Sequence, residues 1–261
     1  MSANSLSTAL VDEIPVVWEE PAQRRQPPNL ALWLPPFSTT KEWSVPFLDE
    51  LTGQGFVAVS IDPWAHGERG KESAEQLRAR VFGNFRHHMW PILGLTTLDC
   101  LRILDWAREN LDVSDEVVAG GVSMGGDIAV ALAGLDPQVV RVATIASTPD
   151  WTRPGMRDLG DPDRVLPQGT ADTYAQWFYD QLDPFTHVER YETGTAISFE
   201  CGADDTHISP DWALRFRDEL AHLDPHAHER VRVTVHPGLG HLDSAQSPEL
   251  RKRCVAWLAK R

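Results

Sequence analysis

Short runs of apolar residues, many of them branched, alternate along the chain with segments of helical length. The runs at Val16-Val17-Trp18, Leu30 to Leu34, Phe56 to Ile61, Val117 to Gly120, Val140 to Ile145, Ala196 to Glu200 and Val231 to Val235 predict strands. Their hydrophobicity is near continuous, as in strands covered on both faces. Such runs separated by helix-length segments predict an α/β protein, with a mostly parallel twisted sheet and helices on both faces. Ser209-Pro210 and Ser247-Pro248 each place a capping hydroxyl before a proline suited to the first helical position. The final helix then carries Leu250, Cys254, Trp257 and Leu258 on one stripe, and the preceding one Ala213, Phe216 and Leu220.

Two stretches break this rhythm. Residues 66–97 read as a long polar connection, with Arg69, Lys71, Arg78, Arg80 and Arg86, before a helix carrying Leu98, Leu101 and Leu104. Residues 148–192 are dense in proline, aspartate and aromatic residues, and Thr170 is placed to cap a helix with Tyr174, Trp177 and Phe178 on one face. Insertions of this length are usually functional or carry their own structure. Ligand pockets favour apolar, aromatic linings, so the expectation is a small cap insertion at 148–192 within a single domain spanning 1–261. Trp151, Trp177 and Phe178 are then the candidate substrate-binding residues; a helix packed on the body, with these aromatics as its core, is the other reading. No internal repeat or low-complexity tract is present.

Composition acts by exclusion. Among 261 residues, 38 acidic and 24 basic side chains give a formal net charge of −14. That field repels nucleic acid and anionic membrane surfaces, which leaves a small-molecule substrate as the expected partner. Cys100, Cys201 and Cys254 stand far apart with no CxxC spacing, so neither a disulfide framework nor a thiolate metal site is expected. Met1 to Glu20 holds no apolar run of signal-peptide length, and a cytoplasmic location is the default expectation.

The strongest chemical signal is Gly121-Val122-Ser123-Met124-Gly125, between the predicted strand ending at Gly120 and a helix with Ile128, Ala131 and Leu132. A serine on a sharp strand-to-helix turn presents its Oγ above the sheet. The helix dipole and the Met124 N–H then point at the place where an oxyanion would form. A serine hydroxyl is a poor nucleophile unless a base takes its proton and an acid orients that base. Of the ten histidines, His241 in Gly238-Leu239-Gly240-His241 follows a predicted strand directly and is the candidate base. The acid lies in Gly202-Ala203-Asp204-Asp205; Asp205 is the choice by position, and Asp204 is the other candidate. His222, His226 and His228 have spacing open to a metal, but Pro225 interrupts them and a solvated loop is expected. His87-His88 beside Trp90 reads as a helix-edge pair.

Ser123, Asp205 and His241, in that order and each after a predicted strand, resemble the α/β-hydrolase superfamily over nearly the whole chain from about Leu30. Asp62-Pro63-Trp64-Ala65-His66-Gly67-Glu68-Arg69-Gly70 is similar to a segment after the fourth strand of dienelactone-hydrolase-like and prolyl-oligopeptidase-like esterases. There the segment supports the site's architecture, which implies structural roles for His66 and Arg69. The resemblance implies the α/β-hydrolase fold and a serine esterase acting on a small carboxylic ester, lactone or thioester through an acyl-enzyme on Ser123, with no metal or organic cofactor. Members usually carry His-Gly after the third strand, next to the second oxyanion donor. Here the stretch is Leu34-Pro35-Pro36-Phe37-Ser38-Thr39-Thr40, and proline has no N–H to donate. By position the donor becomes Phe37, with Ser38 next. Dienelactone hydrolases proper use a cysteine nucleophile, so Ser123 points to ester chemistry. The departure at Pro35-Pro36 keeps open a non-hydrolytic lyase, cyclase or cofactor-free oxygenase with His241 as base. A peptidase, which would bring a large extra domain, and a silent binding protein are weaker alternatives.

Overall fold

A computed structural model describes residues 6–23, 27–192 and 194–260, and each of the seven apolar runs lies in a strand except for Phe56, which stands just ahead of its own. The strands are β1 (Ser7–Val11), β2 (Ile14–Glu19), β3 (Leu30–Leu34), β4 (Val57–Ile61), β5 (Val117–Val122), β6 (Val139–Ile145), β7 (Ala196–Gly202) and β8 (Val231–His236). They form one sheet in the order β1-β2-β4-β3-β5-β6-β7-β8. The β1–β2 hairpin is antiparallel and joins β4 antiparallel, and the remaining pairs are parallel. β1 is the strand the sequence pattern misses. Its five residues alternate between half-buried and exposed on the open edge, so it lacks the continuous apolar signature of the others.

Continuous hydrophobicity follows from serving two cores at once. In β3, Leu30, Leu32 and Leu34 face one cluster, while Ala31 and Trp33 face the other. β4 divides likewise, with Val57, Val59 and Ile61 against Ala58. The second cluster is closed by α1 (Val45–Gly53) and by α9 (Pro248–Leu258), the latter through its predicted stripe. The first is covered by α2 (Ala74–Gly83), α3 (Phe85–Asn110), α4 (Met124–Ala133), α5 (Thr173–Leu182), α6 (Asp211–Leu223) and the single turn α7 (Ala227–Arg230). Ser247 caps α9, its Oγ accepting from the Leu250 N–H at 3.3 Å. At the other Ser-Pro, α6 begins one residue later than predicted: Pro210 takes the N-cap position, and Ser209 Oγ accepts from the Asp211 N–H at 3.2 Å.

The 66–97 connection is mostly helical, which corrects the sequence reading. Ser73 and Gln76 form a reciprocal cap that starts α2, and the next helix starts at Phe85 and runs 26 residues. Pro91 inside α3 concealed that early start. It removes one backbone donor near the helix beginning, while Phe85, Met89, Ile92, Leu93 and Cys100 bury one continuous face. The 148–192 insertion also differs from expectation. Asp172, not Thr170, caps α5 by accepting from the Ala175 N–H at 2.8 Å. α5 docks on α3, with Phe178 lying over Gly94, where any Cβ would collide with the ring.

Among the described residues, no helix is long and apolar enough to cross a membrane. None of their His, Cys, Asp and Glu side chains, those of His222, His226 and His228 included, gather in a group able to hold a metal ion. The three cysteines are free and buried; burial pushes the Cys201 thiol up to about 12.

One buried carboxyl makes stability depend on pH. Glu19 of β2 is 2% exposed and, among the described residues, its Oε2 has no partner; burial, then the nearby Asp49 charge, raises its pKa from 4.5 to about 7. The folded state therefore holds a proton that the unfolded chain releases at lower pH. This contribution to stability is fully present below about 4.5 and is lost as pH rises through about 7. Glu19→Gln is expected to raise the melting temperature at pH 8 more than at pH 5. An equal change at both values would mean that the proton on Glu19 is not the cause.

Candidate active site

Ser123 is the hinge between β5 and α4, and its backbone is held at φ 51° and ψ −120°. For a residue with a Cβ this is a strained region, costing on the order of 1–3 kcal/mol. The surroundings enforce it. The Ser123 N–H donates to Ile145 O of β6 at 2.8 Å, while Gly126 and Asp127 N–H groups close onto Ser123 O. The glycines on either side are fixed by close approach: a Cβ at Gly121 would collide with the Gly125 backbone, and one at Gly125 with the Leu34 and Pro35 carbonyls. The loop after β3 therefore lies directly on the serine turn.

Two loops at the same sheet edge bring a histidine and a carboxylate to Ser123. His241 is the first residue of α8 (His241–Gln246), just after β8, and its Nε2 lies 3.1 Å from Ser123 Oγ. Its Nδ1 lies 2.8 Å from Asp205 Oδ2, in the loop after β7. The other Asp205 oxygen accepts from the N–H groups of His207 at 3.0 Å and Ile208 at 2.7 Å. The neighbouring Asp204 is exposed. Asp205 and His241 are 4% and 8% exposed, so the Ser-His-Asp chain is shielded from bulk water.

The loop after β3 is braced from below by the segment after β4. Asp62 is fully buried and accepts from the backbone N–H groups of Lys41 and Glu68, both at 2.9 Å, and from Lys41 Nζ at 3.2 Å. His66 Nε2 accepts the Ser38 N–H at 2.9 Å, while its Nδ1 donates to Trp64 O at 2.9 Å. Burial lowers the His66 pKa to about 4, so the ring stays neutral and keeps accepting. Arg69 pairs with Asp99 at 2.7 Å. The Ser38 N–H is thus occupied. Among the described residues the N–H groups of Phe37 and Met124 donate to no protein acceptor.

Behind the serine, Asp127 of α4 is fully buried and pairs with Arg153, itself 3% exposed. The Thr148 N–H donates to the other Asp127 oxygen at 2.8 Å. Burial raises the Asp127 pKa, and Arg153 opposes that shift.

Ser123 and His241 open on a cavity of about 280 Å³ lined also by Phe37, Arg78, Phe82, Met89, Arg153, Leu159 and His207. A larger hollow of about 510 Å³ lies at the other end of the strands, lined by Asn29, Glu116, Val140 and Arg141 among others, and among the described residues no serine, cysteine or histidine lines it. The three aromatics expected to bind substrate lie elsewhere, which is a correction. Trp151 is fully buried, fixed by its N–H to Asp183 and its carbonyl to Trp90 Nε1. Phe178 is spent on docking α5, and Trp177 is half exposed on the outer side of that helix. The insertion reaches the cavity through Arg153 and Leu159 instead. Of the cavity residues missed by the sequence reading, His207 carried the one available signal, since it lies two residues after Asp205.

The arrangement can pass a proton from Oγ to Nε2, hold the resulting imidazolium against a carboxylate, and offer two free N–H groups to a negative oxygen. Residues 42–261 match the model of the prolyl oligopeptidase family. YtaP of Bacillus subtilis (strain 168) is 33% identical over 106 residues, which cover 40% of this chain. The matched part spans 34%, about a third, of that curated relative's length. Among solved structures, TT1662 of Thermus thermophilus superimposes with a TM-score of 0.75 at 19% identity, covering 99% of this chain and 100% of its own. The Pyrococcus furiosus esterase Pf2001 gives a TM-score of 0.66 at 16% identity, covering 98% of this chain and 92% of its own.

Proposed function

Starting from a chain that belongs to the prolyl oligopeptidase family, and so to the α/β-hydrolases, we propose that it is a serine esterase that cleaves a small carboxylic ester, lactone or thioester through an acyl-enzyme. The observation that carries this reading is the unbroken hydrogen-bonded chain Ser123 Oγ, His241 Nε2, His241 Nδ1, Asp205 Oδ2, with links of 3.1 and 2.8 Å. Ser123 attacks the carbonyl while His241 takes the proton and returns it to the leaving oxygen or sulfur; a water that His241 deprotonates then attacks the acyl-enzyme, which releases the acid and gives the proton back to Ser123 Oγ. Asp205 holds the imidazole with Nδ1 protonated. The N–H groups of Met124 and Phe37 stabilise the tetrahedral oxyanion, each contributing on the order of 3 kcal/mol. The free Phe37 N–H supports hydrolysis over the lyase, cyclase and oxygenase readings, because the prolines at 35 and 36 leave a second donor in place. The cavity volume of about 280 Å³ favours a short acyl chain.

The test is hydrolysis of p-nitrophenyl esters from acetate to decanoate, with a peptide p-nitroanilide and a fluorophosphonate probe alongside. Short-chain turnover and covalent labelling are expected, both abolished in Ser123→Ala, with a loss in kcat on the order of 10⁴ or more. Faster cleavage of the anilide than of any ester would favour a peptidase. A folded wild-type protein that turns over no ester and takes no label would overturn the proposal.

A further inference from the structure

His207 lies in the cavity beside Ser123 and His241 with its protonation pattern fixed by its neighbours. The Arg157 carbonyl, which only accepts, lies 2.7 Å from Nδ1, so Nδ1 carries the proton. Nε2 is therefore a bare lone pair. Among the described residues it has no partner, and it belongs to a ring that lines the cavity. The residue is 95% buried, being 5% exposed. The ring cannot turn away. It sits edge to face with His241 at 4.8 Å between centroids and with Phe82 at 6.0 Å, while its backbone N–H is held by Asp205. Nor does it charge: burial, with His241 and Arg153 nearby, lowers its pKa to about 3.

A rigid, neutral acceptor in the wall of a mostly apolar cavity asks for a donor. Resting solvent supplies one, and a substrate that displaces that water must supply another or leave a buried acceptor unpaired. Resting on the esterase reading above, we propose that His207 Nε2 is a specificity-determining acceptor that selects substrates with a hydroxyl close to the scissile carbonyl, such as 2- or 3-hydroxyacyl esters. The position follows from the 4.8 Å between the rings of His207 and His241, whose Nε2 is in turn 3.1 Å from Ser123 Oγ. A donor within a few bonds of the carbonyl is close enough to reach His207, and the proposal places it on the acyl group. Sites built around a polar partner discriminate strongly against analogues that lack it.

The test compares kcat/KM for p-nitrophenyl butyrate with those for its 2-hydroxy and 3-hydroxy analogues in wild type, His207→Gln and His207→Phe. Wild type is expected to prefer one hydroxy ester by about tenfold or more. His207→Phe, which keeps a ring against His241, brings the ratio to about one, and His207→Gln, which keeps an acceptor, retains part of it. No hydroxy preference in wild type overturns the proposal without reference to any variant. Equal losses on all three esters in His207→Phe also overturn it, since they assign the ring only to supporting His241. Calorimetric binding of ethyl butyrate and its 2-hydroxy and 3-hydroxy analogues to Ser123→Ala separates this proposal from the esterase reading. Tighter binding of either hydroxy ester without ester turnover in wild type sinks only the latter, and equal binding of all three sinks only the role of His207.

Discussion

Asp205→Asn is expected to lower kcat for ester hydrolysis by about 10⁴, the scale seen when a triad aspartate becomes an amide, whereas Asp204→Asn keeps wild-type turnover. The size of the effect follows from how the carboxylate is held. One oxygen of Asp205 faces two backbone donors, the N–H groups of His207 and Ile208. An asparagine there must give its single carbonyl oxygen to those donors, which aims its NH₂ at His241 Nδ1. The imidazole then shifts its proton to Nε2 to accept that NH₂, and Nε2 no longer takes a proton from Ser123. The fold should survive unchanged, so circular dichroism matching wild type beside lost turnover is the expected pair of results. Turnover lost in Asp204→Asn and kept in Asp205→Asn would reverse the assignment.

Asp127→Ala is expected to cost about 3–5 kcal/mol of stability, the range for removing one partner of a buried ion pair. Asp127 is fully buried and Arg153 nearly so, and the mutation leaves the guanidinium and the Thr148 N–H without their acceptor. The measurement is the urea midpoint at unchanged m-value. Replacing both partners, Asp127→Leu with Arg153→Met, should recover much of the loss, because the cost lies in the orphaned charge. A single-mutant loss below about 1 kcal/mol would mean that water or a local shift compensates the arginine.

What the chain pattern revealed and what it hid divide along physical lines. Strands such as Leu30–Leu34 announce themselves because both faces are buried, so each residue must be apolar. The edge strand Ser7–Val11 buries little, and Ala9-Leu10-Val11 is too short an apolar run to stand out. Ser123 was legible because its strained turn demands glycines at fixed spacing, a purely local constraint. Asp205 and His241 were legible through their place after strands. Arg153, Leu159 and Phe82 reach the cavity along loops and a helix whose paths depend on distant packing. The aromatic residues at 151, 177 and 178 misled for a related reason: composition reports that a segment must bury area, and here the body of the protein, not a ligand, receives Trp151 and Phe178.

The separation of 118 positions from Ser123 to His241 also sets an order in time. A ribosome completes the serine turn and the strands around it well before β8 and α8 exist, and parallel sheets of such long-range pairing assemble slowly. Until then Ser123 lacks the proton acceptor that His241 supplies. The site therefore closes only once the loop after β8 is in place, and recovery of ester turnover during refolding is expected not to precede the formation of β8.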